Sequence, residues 1–274
     1  MIDSHVHFWQ FDPVKDAWIN EEMAVLQRDF SPADYCALQT ENGIDGCIAV
    51  QADQSEQETA FLVDLAKHNP IIKGVVGWVD LKSKVIEEKL SFYAKEPMIK
   101  GWRHIVQAEN EGFLLQPEFI RGVRALKNHG YTYDILVKHN QLPEVMQFID
   151  QLGEQPLVID HCAKPDLNNK DISAWTAQLK TIAQASHVYC KLSGLLTEGD
   201  WNNPDKQLIF KCLDVVFESF GTDRLLFGSD WPVMLLSKKY SYWMQMVGEY
   251  MQQFSKQEQQ LVFGDNAIKF YKLD

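Results

Sequence analysis

The chain has 274 residues, of which 46% are hydrophobic and 12% aromatic, and its formal net charge is −12 at pH 7. This composition is typical of a globular protein with a large core, and we expect one domain over residues 1–274. The acidic balance excludes nucleic acid and anionic membranes as favoured partners, because both present phosphates of the same sign. A small-molecule partner is the remaining expectation.

The cysteine content indicates a reduced, cytoplasmic protein. No CxxC pair is present, and each cysteine is expected to be a small buried apolar residue. The five are Cys36, Cys47, Cys162, Cys190 and Cys212. We find no signal peptide and no apolar stretch long enough to span a membrane. The oligomeric state stays open, a homodimer included.

Short apolar runs alternate with stretches of helical periodicity along the chain. The runs predict eight strands, at Ile2–Phe8, Gly46–Ala52, Gly74–Asp80, Gly101–Gln107, Thr132–Val137, Leu157–His161, Val188–Ser193 and Leu225–Asp230. The periodic stretches predict helices at Gln57–His68, Val85–Lys95, Pro117–Asn128, Leu142–Leu152, Ile172–Ala185, Lys206–Phe220, Tyr240–Gln253 and Lys256–Tyr271. Eight strand-then-helix units predict parallel strands closed into a (β/α)8 barrel of the TIM type.

The segment Gln10–Arg28 fits neither pattern and is long for a connection between a strand and a helix. Long loops in compact domains are usually functional or mobile. We expect this segment, with Trp18 as a substrate-binding side chain, to form part of a pocket wall. A packing flap over the barrel rim is the alternative.

The first predicted strand ends with two histidines. Strand side chains alternate between faces, so His5 and His7 point the same way. They lie near the end of the strand at which barrel enzymes carry their catalytic groups. Imidazole is a common zinc ligand. An HxH pair alone leaves metal binding and a structural role both open.

Two further candidate ligands end later strands. His161 ends the sixth strand, and Asp230 ends the eighth, just before a proline-stopped loop. Asp230 can act as a ligand, a general base or both, although a loop-fixing Asx turn is the plainer interpretation. If the barrel closes, the ends of strands one, six and eight converge. The four candidate ligands together then indicate a metal site more specifically than any one of them does alone.

The fourth strand contains Arg103 and His104, one of which should face inward, although both are expected to reach the pocket near the strand end. Arginine suits a carboxylate or carbonyl oxygen through paired hydrogen bonds. Gln51, at the end of strand two, is a candidate donor to a substrate hydroxyl. For Arg103 and Gln51 a structural hydrogen bond across the barrel is the alternative.

Lys138 and His139 end the fifth strand and are further candidates for substrate binding, with roles that the sequence leaves open. Lys191 lies within the seventh strand, where an ion-pair partner is as good an interpretation as a ligand. No glycine-rich phosphate loop and no GxSxG segment are present, so a serine esterase is unsupported.

These residues stand in segments that resemble the amidohydrolase superfamily, and within it the amidohydrolase-2 branch that contains sugar-acid lactonases. The segments are IDSHVHFW at 2–9, KGWRHIVQ at 100–107, YDILVKHNQLP at 133–143, VIDHCAKPD at 158–166, KLSGLLTE at 191–198 and DRLLFGSDWPV at 223–233. HxH is common to the superfamily, whereas the last three segments in this order are more specific to the branch that contains fucono- and rhamnonolactonases.

The resemblance implies a distorted barrel with its site at the carboxyl ends of the strands. It implies one divalent metal, zinc by expectation, held by His5, His7, His161 and Asp230. Asp230 would also be the acid and base that moves the proton of the attacking water, and Arg103 with His104 would hold the substrate. No lysine suited to bridging two metals is evident, and some members of the branch are thought to act without metal.

One departure from the branch is Cys162-Ala163, where relatives more often carry an apolar residue and glycine before Lys-Pro. The extra methyl group of Ala163 is expected to alter the pocket beside His161.

The resemblance therefore predicts an enzyme of carbohydrate metabolism that hydrolyses a sugar-acid lactone, an aldonolactone, to the open acid. A metal-dependent decarboxylase of the same family is one alternative. A non-catalytic barrel that binds a sugar acid is another, because fold does not determine function.

Overall fold

Eight parallel strands lie in the order of the chain in the computed structural model, which describes residues 1–273. The strands are β1 Ile2–Val6, β2 Gly46–Val50, β3 Ile72–Gly77, β4 Ile99–His104, β5 Thr132–Ile135, β6 Leu157–Ile159, β7 Val188–Leu192 and β8 Leu225–Phe227. The pairing of each strand with the next confirms the predicted barrel class. Register shifts between β1 and β2, β2 and β3, and β3 and β4 distort it.

The helices alternate with the strands and form the outer layer. They are α1 Pro32–Asn42, α2 Glu56–His68, α3 Ile86–Tyr93, α4 Pro117–Leu126, α5 Leu142–Leu152, α6 Ser173–Ile182, α7 Lys206–Phe220, α8 Tyr240–Tyr250, α9 Lys256–Gln260 and α10 Asn266–Tyr271. The last predicted helix is therefore two helices, joined by a π-helical turn over Leu261–Asp265.

Helix α1 was not predicted, although local signals mark its start. The Ser31 hydroxyl accepts the Asp34 backbone N–H, and the Asp34 carboxylate accepts the Ser31 N–H in return, with Pro32 in the first turn. This reciprocal cap stabilises a helix start. Only Pro32 and Tyr35 of the helix are buried, so the apolar periodicity was too weak to indicate it.

The barrel is closed by the segment that follows β8. Val6 bridges Trp231 in parallel, the Asp230 N–H donates to the His5 carbonyl (2.9 Å), and the His7 N–H donates to the Trp231 carbonyl (2.7 Å). These bonds extend the ladder of β1 beyond the end of β8. Asp230 is thereby held next to both histidines of the first strand.

A separate apolar cluster involves the strands and the chain's last helix. Ile48, Val76, Val158 and Leu226 from four strands pack with side chains of α10 and its surroundings, among them Tyr271. Burial of apolar surface of this kind is the main source of stability in a barrel. The carboxyl-terminal helix is thus part of the core.

Four of the five cysteines are buried, as predicted, and Cys36 is the exception because it lies on an exposed part of α1. All five are free thiols. Among residues 1–273, no helix has the length and apolarity that crossing a membrane requires.

Candidate active site

The four predicted metal-centre residues converge at the carboxyl end of the barrel. The Nε2 atoms of His5 and His7 lie 3.1 Å apart, and Asp230 Oδ1 lies 3.3 Å from His7 Nε2 and 3.8 Å from His5 Nε2. His161 approaches from the end of β6, with its Nε2 at 3.9 Å from the same carboxylate oxygen. The structure thus brings the ends of these strands together.

The rings of His7 and His161 are oriented by hydrogen bonds at Nδ1, the ring nitrogen that points away from the cluster. His7 Nδ1 lies 2.8 Å from the carbonyl oxygen of Val50, and His161 Nδ1 lies 2.9 Å from the Ser193 hydroxyl. A backbone carbonyl can only accept, so His7 Nδ1 donates to it and Nε2 is the nitrogen that faces the cluster. This arrangement is typical of histidines that ligate metals.

The donor atoms fit a single divalent ion. His5, His161 and Asp230 offer ligand atoms that lie within 4.8 Å of one another, and His7 Nε2 adds a fourth donor beside them. Bonds of about 2.0–2.1 Å in a tetrahedral zinc site separate its donors by roughly 3.3 Å. The observed separations of 3.1, 3.3, 3.8 and 3.9 Å bracket that value.

His5 lies deepest in the cluster. Its Nδ1 is 3.2 Å from Lys191 Nζ and 3.4 Å from Asp160 Oδ1, and its Nε2 is 3.2 Å from Arg103 Nη1. Burial lowers the pKa of His5 well below its usual range, and Lys191 lowers it further against the opposing effect of Asp160. His5 is therefore neutral at physiological pH, which is the state that ligates a metal.

Asp230 has an unusual backbone conformation and an ionised side chain. Its φ of +61° lies in the left-handed region, which aspartate enters more readily than most residues. Burial raises the pKa of Asp230, but the imidazoles of His161 and His7, together with Lys164, outweigh burial, and the net pKa is lowered. The carboxylate is thus available at neutral pH to accept a proton.

The predicted substrate residue Arg103 points into the barrel and is held rigidly. Its Nη1 donates to Asp160 Oδ2 (3.0 Å), and its Nη2 donates to both the backbone carbonyl and Oε1 of Gln51. Gln51 Nε2 in turn donates to the Arg103 carbonyl (3.3 Å). The structural alternative therefore describes Gln51: it is buried, positions Arg103 and does not line the cavity described below.

His104 lies away from the cluster, which corrects the expectation that it reaches the pocket with Arg103. Its ring stacks on Phe113 with centroids 4.6 Å apart, its Nδ1 accepts from Trp78 Nε1 (3.3 Å), and its Nε2 lies 2.8 Å from Glu109. Consecutive residues of a strand point to opposite faces. The pairing of β4 with β5 continues through His104, so the alternation persists to the last strand residue.

A buried ion-pair network beneath the histidines was not predicted as a unit. Lys191 Nζ lies 2.5 Å from Asp134 Oδ2 and 3.0 Å from Asp160 Oδ1, and all three side chains are fully buried. Burial would raise the pKa of Asp160, but Lys191, His5 and Arg103 outweigh it and hold the pKa well below its usual range. Lys191 is thus an ion-pair partner, one of the two roles weighed for it.

Asp3 is a second functional position that the sequence interpretation missed. Its Oδ1 accepts the Ser229 N–H (2.8 Å), and its Oδ2 accepts the hydroxyls of Tyr35 (2.9 Å) and Tyr240 (3.0 Å). These bonds tie β1 to α1, to α8 and to the residue before Asp230. The signal was present, because Asp3 shares the odd-numbered register of His5 and His7.

His161 opens a left-handed turn of four residues. The φ angles of His161, Cys162, Ala163 and Lys164 are +55°, +52°, +57° and +48°. Each such residue other than glycine costs roughly 1–2 kcal/mol. The loop that follows β7 accommodates the turn through Gly194, where an added Cβ would lie 2.6–2.7 Å from His161 side-chain atoms. Strain of this kind concentrates at functional sites.

A cavity of about 400 Å³ opens above the cluster. His7, Arg103, His161 and Asp230 line it, so the proposed reactive groups face one space. Trp18 also lines it and packs edge-on against Trp9, with ring centroids 6.0 Å apart. The expectation that the segment after β1 contributes a pocket wall is consistent with this placement.

Lys138 and His139 do not line this cavity. They border a neighbouring groove, where His139 Nδ1 lies 3.1 Å from the carbonyl oxygen of Lys164. Lys164 lines both spaces and pairs with Glu198 at 3.2 Å. Lys164 is a cationic residue that the sequence interpretation did not single out, although it stands in the quoted segment at 158–166.

Comparison with known proteins supports this architecture. The amidohydrolase family matches residues 2–273. The chain belongs to this family. An L-fucono-1,5-lactonase of Burkholderia multivorans is 38% identical, with 99% of this chain and 96% of that protein covered. An L-fucono-1,5-lactonase of Burkholderia ambifaria is 32% identical, with 100% of this chain and 96% of that protein covered.

A solved structure of a related amidohydrolase shows the same fold. The Burkholderia multivorans amidohydrolase crystallised with bound zinc is 38% identical, and the match covers 100% of this chain and 99% of that one with a TM-score of 0.96. The fold is thus shared along nearly the whole length of the two chains.

Proposed function

We propose that this chain hydrolyses a sugar-acid lactone to the open acid. The observation that carries the proposal is one cavity lined by an ionised Asp230, by the buried histidines His7 and His161 and by Arg103, with His5 directly behind them. Full-length similarity to two L-fucono-1,5-lactonases supports the reaction class. An enzyme acting on a cyclic ester is the function that this geometry supports best.

Asp230 supplies the proton transfers of the reaction. Its carboxylate accepts a proton from water as the water oxygen bonds to the lactone carbonyl carbon. When the bond between that carbon and the ring oxygen breaks, the same proton passes from Asp230 to the leaving oxygen. The product is an open aldonic acid, which ionises and releases one proton to solution.

Arg103 stabilises the negative charge that develops on the carbonyl oxygen. Its guanidinium is locked by Asp160 and Gln51 before substrate arrives, so little reorganisation is needed during the reaction. Its Nε is buried and has no hydrogen-bond partner among residues 1–273. This leaves Arg103 with donor capacity that its positioning contacts do not use.

We propose that His5, His7, His161 and Asp230 would hold one divalent ion, and that this ion is zinc. When bound, it polarises a carbonyl oxygen and lowers the pKa of water. Imidazole nitrogens and a carboxylate form a donor set that suits zinc. Lactones are activated esters, so we expect the enzyme to retain part of its activity when the ion is removed.

The test is a pH-indicator screen of aldonolactones, run on the protein as purified and after chelation. Acid release above the spontaneous rate supports the lactonase, and its decrease after chelation with recovery on added zinc supports the metal assignment. Release of carbon dioxide from a carboxylated aromatic substrate, with no lactone hydrolysed, would favour a decarboxylase instead. Tight binding of a sugar acid without turnover would favour the non-catalytic alternative.

A further inference from the structure

Gln107 lies just beyond β4, four residues after Arg103, and it is one of the residues that line the same cavity as Arg103 and Asp230. Its backbone is held in a 3-10 turn over Val106–Ala108. The Gln107 N–H donates to the Leu136 carbonyl (3.0 Å), and Gln141 Nε2 donates to the Val106 carbonyl (2.9 Å). The position of Gln107 on the cavity wall is therefore fixed from two sides.

The side-chain oxygen of Gln107 is an unused acceptor. Gln107 Oε1 is shielded from solvent and has no hydrogen-bond partner among residues 1–273. A buried polar atom without a partner costs free energy, so such atoms in native proteins usually have a partner from the protein, from water or from a ligand. The residue lines the cavity, so rotation of its carboxamide about the terminal side-chain bond presents the oxygen to a bound molecule, which can supply that partner.

The other two glutamines near the site are already engaged. Gln51 uses both ends of its carboxamide on Arg103. Gln54 also lines the cavity, but its Oε1 accepts the backbone N–H of Ile105 at 2.8 Å. Of these three glutamines, Gln107 alone keeps its carboxamide oxygen uncommitted.

The wall around Gln107 is apolar. Ile105 and Ala108, its neighbours in sequence, line the cavity, and so does Leu136, to which its backbone is bonded. These side chains cannot donate or accept a hydrogen bond. A polar substituent that faces this wall therefore meets two carboxamides, those of Gln54 and Gln107, and only Gln107 has an oxygen that is free to accept a hydrogen bond.

We infer that Gln107 binds a ring hydroxyl of the sugar lactone and determines which hydroxyl pattern the enzyme accepts. The identity of the ligand as a sugar lactone rests on the proposed function. A carboxamide donates and accepts, and rotation by 180° exchanges its two ends, so it matches a hydroxyl in either role. A site built to bind a hydroxyl rejects the analogue that lacks it, because the protein group is then left unpaired.

The experiment compares wild type with Gln107→Met, which keeps the chain length but removes both polar atoms. The substrates are the best lactone of the panel and its monodeoxy derivatives, each lacking one ring hydroxyl. Wild type should lose about 100-fold in kcat/KM on one derivative. Gln107→Met should lose a similar factor on the parent lactone and lose little more on that derivative.

Gln107→Glu is the matched control, because it keeps an acceptor of the same shape. It should retain a preference for the same hydroxyl, and thermal melting should show that both variants fold. If Gln107→Met is as sensitive as wild type to the removal of every hydroxyl, Gln107 does not bind one and the inference is overturned.

Binding separates this inference from the proposed function. Calorimetry of the open aldonic acid and its deoxy derivatives, in an Asp230→Asn background, measures the same coupling without turnover. Absence of lactone hydrolysis by wild type contradicts the proposed function alone. Even if no lactone is hydrolysed, a loss of affinity that depends on both Gln107 and one hydroxyl supports the inference about Gln107. If no such coupling is measured, that inference is overturned.

Discussion

At the scale of single residues, two neighbours in β4 have different roles. Arg103 faces the barrel interior, where Asp160 and Gln51 hold its guanidinium beside His5. His104 faces the other way and stacks on Phe113 in the packing layer outside the strand. The alternation of a strand predicts this division, but sequence alone does not reveal which parity faces inward at the strand end.

Substitutions at these two positions should separate activity from stability. Arg103→Lys keeps the charge but loses the planar fork, so kcat/KM for the lactone should fall by roughly 100-fold or more. His104→Gln should leave kcat/KM within about threefold while lowering Tm, because a buried stack and two hydrogen bonds are altered. Steady-state kinetics and calorimetric melting measure both. A loss of activity in folded His104→Gln that matches Arg103→Lys would contradict the assignment.

At the scale of elements, the turn after β6 determines the position of His161. Its four residues have left-handed φ angles, and none of them is glycine. Ala163 stands where relatives more often carry glycine, and in this turn the alanine imposes backbone strain. Its φ of +57° suits glycine better than alanine.

Ala163→Gly should therefore stabilise the protein. Relief of the left-handed penalty contributes about 1 kcal/mol, partly offset by the greater freedom of glycine in the unfolded chain. In a chain of this length the gain corresponds to an increase in Tm of about 2 °C. Differential scanning calorimetry measures it, and an unchanged or lower Tm would show that the turn is not strained at this residue.

At the scale of the whole molecule, the carboxyl-terminal helix α10 is linked to the catalytic end of the barrel through buried charges. Tyr271 donates its hydroxyl to Asp134 Oδ2 (2.8 Å), Asp134 pairs with Lys191, and Lys191 contacts His5. Burial raises the pKa of Asp134 to about 6, so its ionised form depends on these partners. The network thus joins the last helix to the first strand.

Tyr271→Phe removes one hydroxyl from this network and should lower the free energy of unfolding by about 1–3 kcal/mol, because Asp134 loses a buried donor. Denaturant titration at neutral pH measures the loss. Tyr242→Phe, on a partly exposed residue of α8, is the matched control and should change little. Equal stability of Tyr271→Phe and wild type would mean that the hydroxyl does not support Asp134.

Part of the fold and of the candidate site could be predicted from the sequence, and part could not. The convergence of His5, His7, His161 and Asp230 followed once eight strands were expected to close, because parallel strands end at one rim. The pairing of Lys191 with Asp134 and Asp160 did not follow, since it depends on which side chains meet across the interior. Helix α1 did not follow from apolar periodicity, because only Pro32 and Tyr35 of it are buried, and its one strong sequence signal is the Ser31–Asp34 cap.

The most direct test of lactone hydrolysis at this site is the turnover of the best aldonolactone by wild type and by Asp230→Asn, with circular dichroism to confirm the fold. The account predicts acid release by wild type and a loss of kcat of about 100-fold or more in the variant, because asparagine cannot accept the proton of water. Near-normal turnover by folded Asp230→Asn would contradict the proton-transfer role, and no turnover of any lactone by wild type would contradict the function itself.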